Sequence, residues 1–591
     1  MSTQSLGGRI CRCGGVRLWQ RWAFGLTAAM VMLLLPGAAL ASEGGHVIPP
    51  AWAVLPFIVL LGMIATGPLF YHHFWERYYP HVSIALGLVV VLFYAIALKS
   101  LAPIYHSLME YISFIALLAS LFVASGAILI EIDKKGTPLL NVVLLFIGCI
   151  VSNFIGTTGA SMLLIRPFMR VNRGRIRAYH VIFFIFLVSN IGGALTPIGD
   201  PPLFMGFLRG VGFFWVVQHI WHIWLLTVIM VLAVFFVIDT LDIRKSTELE
   251  VEHSGQVRLM GVKSFVWLFI IIGAVFLDPN VIEGFPSLKE MYHVPFGIRE
   301  LIMFTICFLA YKTASKEALR GNDFNFEPIK EVAYLFIGIF MTMVPALEII
   351  AEEARLRGAS LTAGIFYFGT GLLSSILDNT PTYLNFFTAA LGKFNLDAVN
   401  PKHVSFFESC EVTKYYLEAI SVGAVFWGAM TYIGNGPNFM VKSISDQSGV
   451  KCPSFFGYVF KYALPILVPI FIIVWALFFS RAGESPDTLH KYCPEIEQHM
   501  RESGSPADTS SHEHGLLMPG TDTRTQGVTD DESFTVSNDR RHDFSMFGSR
   551  LARVYHRQPL ECPVSGGAYL DHDGQAAFHA RRPGDDHRFL A

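Results

Sequence analysis

The chain has 591 residues, 53% of them hydrophobic and 15% charged, with a formal net charge of −2. Soluble domains carry about a quarter charged residues, so an ordinary soluble globular domain is excluded, and the near-neutral balance gives nucleic acid nothing to bind. Many apolar runs are long enough to cross a hydrocarbon core of about 30 Å, which defines an all-α polytopic membrane protein.

Residues 1–41 read as a secretory signal peptide. Arg9, Arg12, Arg17 and Arg21 form a basic leader, AFGLTAAMVMLLLPGAAL is its apolar core, and Ala39-Leu40-Ala41 fits a cleavage site before Ser42. A retained first span is the alternative. Ten full spans are predicted near 51–71, 81–99, 110–131, 178–206, 213–239, 264–281, 297–314, 333–352, 413–441 and 455–480. Residues 138–170 and 362–392 do not fit as simple spans. They break at GTTG (156–159) and DNTPT (378–382), and each half is too short to cross alone. Both read as re-entrant helical hairpins, whose irregular tips are tolerated at depth only inside protein or beside water. Residues 481–591 are polar and aperiodic. They cannot bury enough apolar surface to offset their ordering entropy, so they read as a mostly disordered tail.

Lysine and arginine give the orientation. With residue 50 outside, the loops that fall inside hold 17 Lys or Arg and the outside loops hold 6; Arg166, Arg170, Arg173, Arg175 and Arg177 supply five of the 17. The asymmetry survives only if both hairpins return to the side they entered. It predicts a multi-pass protein of the bacterial inner membrane with a periplasmic tail.

An internal repeat is visible. GALTPIGDPPLFM (193–205) and GAMTYIGNGPNFM (428–440) agree at eight of thirteen positions, and each follows a hairpin. Both halves therefore run three spans, a hairpin, a broken span and a final span, the first starting outside and the second inside. These are inverted repeats, 42–239 and 264–480, joined by a cytoplasmic linker at 240–263. Inverted repeats with discontinuous helices are the architecture of secondary transporters, with the site at the midplane. Gly199, Pro201 and Pro202 unwind one span; Gly434, Gly436 and Pro437 unwind the other. No enzymatic role is expected.

These residues resemble the ion transporter superfamily, which includes NhaD-type sodium/proton antiporters, citrate and dicarboxylate carriers and arsenite permeases. Asp378-Asn379-Thr380-Pro381-Thr382 is similar to the antiporters' Asp-Asn-x-x-Thr hairpin, and Thr196-Pro197-Ile198-Gly199-Asp200 to their Ser-Pro-Ile-Gly-Asp break. The resemblance covers about 50–480. It implies a homodimer in which each protomer pairs a scaffold with an elevator-like transport domain. In dicarboxylate members, Ser-Asn-Thr hairpin tips hold carboxylates and sodium. Here the tips read Ser152-Asn153 with Thr157 and Thr158, and Asp378 ahead of Asn379-Thr380, neither a full match.

Intramembrane carboxylates are costly and mark functional sites. Asp200 and Asp378 are the sodium candidates; their repeat equivalents, Asn435 and Gly156, are neutral. Ser152, Asn153, Thr157, Thr158, Thr196, Asn379, Thr380, Thr382 and Thr431 add neutral oxygens, and the breaks at Gly199 and Gly434 free backbone carbonyls. Oxygen ligands suit a hard cation. Sodium ions and protons are then transported or coupling species, with no resident cofactor. Three readings stay open: sodium/proton antiport, cation-coupled transport of citrate or another organic anion (or an anion such as arsenite), and a non-transporting membrane sensor or assembly factor.

Some polar residues have plainer readings. His219 and His222, beside Trp221 and Trp224, read as an interfacial belt. Glu411, Lys414 and Glu418 open a span, with Lys414 and Glu418 as an i,i+4 pair, although Glu418 could line an ion path. The cysteines read as isolated small apolar residues.

Overall fold

In the computed structural model the described residues are 48–480, apart from 246–254, parts of 280–295 and 359–360, together with Cys493 and Ile496. The leader at 1–41 and nearly all of the tail at 481–591 lie outside them. Helices dominate, and the protein is an all-α polytopic membrane protein. The first half holds α1 (Leu55–Phe70), α2 (His72–Phe93, continued as a π-helical turn to Leu98), α3 (Ala102–Gly126), α4 (Pro138–Val171), α5 (Ala178–Leu187), α6 (Pro201–Leu208) and α7 (Phe213–Lys245). The second holds α8 (Lys263–Val275), α9 (Ile298–Thr313), α10 (Lys316–Gly321), α11 (Glu327–Arg357), α12 (Ala363–Ser374), α13 (Asn379–Lys393), α14 (Pro401–Ser409), α15 (Lys414–Trp427), α16 (Gly436–Gln447) and α17 (Phe455–Phe479).

Seven of the helices among the described residues are long and apolar enough to cross a membrane, and α4 is one of them. The expected spans all appear as helix, with shifted ends. The expected span at 110–131 stops at Gly126. Leu129–Ile132 forms a strand instead, paired antiparallel with Val257–Met260 (Leu129 opposite Met260). That ribbon ties the end of the third span to the segment joining the two halves. An apolar run alone does not distinguish a short strand from the end of a helix.

The third spans of the two halves form the centre of one bundle. Phe114 of α3 stacks on Phe336 of α11 with ring centroids 4.7 Å apart, and the Ser107 hydroxyl donates to the Phe340 carbonyl at 2.7 Å. Several charged side chains buried in the spans are paired. Asp239 of α7, fully buried, accepts from Arg175, Asn141 and Tyr179 at 2.7–2.9 Å and so clamps α7 to the start of α4, to the turn that follows α4 and to α5. Arg209, just after α6, grips Glu110 of α3 through two nitrogens, at 2.8 and 3.2 Å, and donates to Thr388 of α13 at 3.3 Å. Removing one partner of such a pair leaves a buried charge uncompensated.

One cysteine expectation is corrected. Cys410, which follows α14, is bonded to Cys493, with Cα atoms 5.5 Å apart. The partner lies 83 residues away in a polar stretch, so no local pattern announced the pair.

Candidate functional site

Both hairpins and both broken spans meet at one carboxylate. α4 is a single element only in outline: at Gly156 the backbone turns to φ 76°, ψ 156°, and the chain reverses. L side chains rarely adopt that conformation, so the first tip requires glycine. At the second tip Asp378 (φ −59°, ψ 143°) caps α13, its carboxylate accepting from the Thr380 amide at 3.0 Å.

The two unwound stretches follow the same path. Thr196 (φ −137°, ψ 155°) matches Thr431 (φ −140°, ψ 166°), and Asp200 (φ −138°, ψ 141°) matches Asn435 (φ −150°, ψ 142°). The Thr196 hydroxyl donates to the Asn153 carbonyl at 2.6 Å and receives the Gly199 amide at 3.1 Å. The Thr431 hydroxyl donates to the Ser375 carbonyl at 2.6 Å and receives the Gly434 amide at 3.0 Å. In each break the same threonine thus braces the local turn and ties it to its own hairpin. Both glycines sit against backbone: a Cβ on Gly199 would lie 2.1 Å from the Gly193 carbonyl oxygen, and one on Gly434 2.6 Å from that of Gly428.

Asp200 is fully buried at the start of α6, and its carboxylate reaches across the protein instead of capping its own helix. Oδ1 accepts from the Thr157 hydroxyl at 2.7 Å and from Asn435 Nδ2 at 3.1 Å; Oδ2 accepts from Asn379 Nδ2 at 3.0 Å. These donors come from the first hairpin, the second break and the second hairpin. No lysine or arginine among the described residues pairs with this carboxylate. It has about four acceptor directions, so one on Oδ2 stays free for a further partner.

The remaining expected residues divide into supports, neighbours and one outlier. Ser152 donates to the Gly148 and Val188 carbonyls, both at 2.8 Å, and Asn153 joins Cys149, Gly192 and Leu195. Both hold backbone and have little left for a ligand. Thr382 donates to the Asp378 carbonyl at 3.0 Å. The Thr380 hydroxyl is buried with no hydrogen-bond partner among the described residues. Asp378 is partly exposed and touches Asp200 through no direct bond. Thr158 is partly buried and makes no side-chain hydrogen bond among the described residues.

Two asparagines escaped the sequence reading. Asn190 donates to Asn438 Oδ1 at 2.7 Å, joining the two broken spans, while Asn438 donates to the Gly428 and Thr431 carbonyls at 2.9 Å each. Asn190 Oδ1, like the Thr380 hydroxyl, is buried without a partner among the described residues. The signal was present: Asn190 is a lone amide in an otherwise apolar run. Four helix starts also face this centre: the second arm of α4, α6, α13 and α16. They bring partial positive charge.

The fold and the convergence of discontinuous helices define a membrane transporter. A family model described as "Putative citrate transport" matches residues 46–479, and the chain belongs to that family. A curated relative, described as a 46 kDa membrane protein of Mycobacterium leprae (strain TN), is 24% identical over 335 residues, covering 54% of this chain and 72% of that protein.

Proposed function

We propose that the protein is a secondary active transporter exchanging sodium for protons through the site at Asp200. One observation carries this reading: a fully buried carboxylate, held by three neutral donors and paired with no cationic side chain among the described residues. A buried charge needs a counter-charge or a proton. Sodium held by Asp200, Asp378 and nearby hydroxyl and carbonyl oxygens would supply the first, and protonation the second. Competition for one carboxylate is sufficient for antiport. Ser152, Asn153, Thr196, Thr431 and the two breaks position the ligands. The repeats at 42–239 and 264–480 are inverted about this centre, and the protein works as a homodimer in a bacterial inner membrane. The Cys410–Cys493 disulfide supports a periplasmic position for the start of the tail, because disulfides persist in oxidising compartments.

A second reading is cation-coupled transport of citrate or another organic anion. The family's description favours it, and so do the four helix starts, which suit carboxylate groups. Everted vesicles separate the two. For the antiporter, adding sodium or lithium collapses a preformed pH gradient and no labelled citrate is taken up. Citrate uptake without ion-dependent collapse refutes the antiporter, and neither activity refutes both.

A further inference from the structure

Glu418 lies on α15 within a span and is only 5% exposed. The sequence offered Lys414 as its i,i+4 partner. The Lys414 ammonium instead pairs with Glu411 at 2.5 Å. Glu418 is left with no hydrogen bond or ion pair among the described residues, only the more distant fields of Lys414 and Glu411. A buried acid without a partner is costly inside a membrane and is retained for a function.

Its surroundings lead inward. Ser421, one turn deeper on the same face of α15, neighbours the buried Tyr383 hydroxyl on α13. That hydroxyl sits against α6 at Gly206, where a Cβ would lie 2.4 Å from it. Tyr383 is five residues from the hairpin tip at Asp378, about 7.5 Å along the helix. In the other direction Glu411, largely exposed, stands at the mouth of the span. Arg209 and Glu408 lie within electrostatic reach of Tyr383. α12, also packed on α15, carries no Asp, Glu, Lys, Arg or His. On α7, His219 stacks on Trp215 and His222 contacts Phe478.

We infer that Glu418 is the proton-carrying residue of the outer access route, passing protons through the Ser421 and Tyr383 hydroxyls toward Asp378 and Asp200. The step is conservative: the carboxylate takes one proton from the outer water, and each hydroxyl accepts one proton as it releases another. The inference rests on the proton-coupled reading above.

The test uses the full-length protein in proteoliposomes, with sodium-driven collapse of a pH gradient as the rate and equilibrium binding of radioactive sodium as the control. Glu418→Gln should slow exchange about a hundredfold, the scale of a lost acid–base group, while sodium binding stays near wild type. Glu418→Asp should recover part of the rate, and Ser421→Ala should slow exchange without changing any charge. Wild-type exchange by Glu418→Gln overturns the inference and leaves the antiporter standing, as does loss of sodium binding in parallel with flux. A wild-type protein that exchanges no protons overturns the functional reading and this inference together. If Glu418→Gln does not accumulate, Ser421→Ala decides: an unchanged rate overturns the route.

Discussion

The sharpest test of the site is Asp200→Asn. The substitution preserves size and removes one charge. Its amide oxygen can keep the Thr157 and Asn435 donors that now meet Oδ1. Its new NH2 group then faces Asn379 Nδ2 across the present 3.0 Å bond, donor against donor. Asn379 cannot flip freely, because its own oxygen accepts from the Ser374 hydroxyl at 2.6 Å. One hydrogen bond is lost and one buried donor is stranded, costing about 1–3 kcal/mol. Removing an unpaired buried charge offsets part of that, so the folded protein should persist. Cation binding has no such offset. A unit charge about 4 Å away contributes about 4 kcal/mol at an effective dielectric of 20, or roughly three orders of magnitude in affinity. Exchange in everted vesicles should therefore vanish at millimolar sodium, while the size-exclusion profile and yield match wild type. Wild-type sodium dependence in this variant would refute the assignment of Asp200 as the ion-binding charge.

Gly156→Ala should cost about 1–3 kcal/mol, because the backbone at φ 76°, ψ 156° is reserved for glycine; an unchanged melting temperature in detergent would show that the tip relaxes freely. Glu408, outside the spans on α14, donates no proton to a partner but accepts from the Gly212 amide at 2.8 Å, and burial pushes its carboxyl from the usual 4.5 up to about 7. A raised carboxyl binds more protons in the folded state, so its cost is absent below about pH 4.5 and complete above about pH 7. Relative to wild type, Glu408→Gln should gain thermal stability as pH rises from 5 to 8, by roughly 3 kcal/mol at most; parallel melting curves across that range would contradict this. Cys493→Ser opens the bond that spans 83 residues, which should remove about 4.5 kcal/mol of stability in the chain-entropy account. The wild type alone should then lose melting temperature under reductant.

Much of this protein is legible in its sequence. Apolar run length locates the helices, and lysine and arginine bias predicts an orientation. The echo of residues 193–205 in 428–440 singles out the breaks, because glycine and proline interrupt a helix by local chemistry. Asp200 and Asp378 stood out for the same local reason, a charge where water is absent. What each one does was not local. Asp200 gathers Thr157, Asn379 and Asn435 from three separate elements, while Asp378 turns to the start of its own helix. Thr158 stays outside that network although it adjoins Thr157 in sequence. Lys414 turned to Glu411 and left Glu418 unpaired, a rotamer choice that spacing leaves open. Arg209 found Glu110 99 residues away, and Cys410 found Cys493 at 83. Sequence by itself determined where helices run, where they must break and which positions carry a costly charge, since those follow from backbone chemistry and the absence of water. Only the tertiary structure decided which charges meet donors, which are paired and which stay unpaired, since that depends on how distant helices pack around one buried centre.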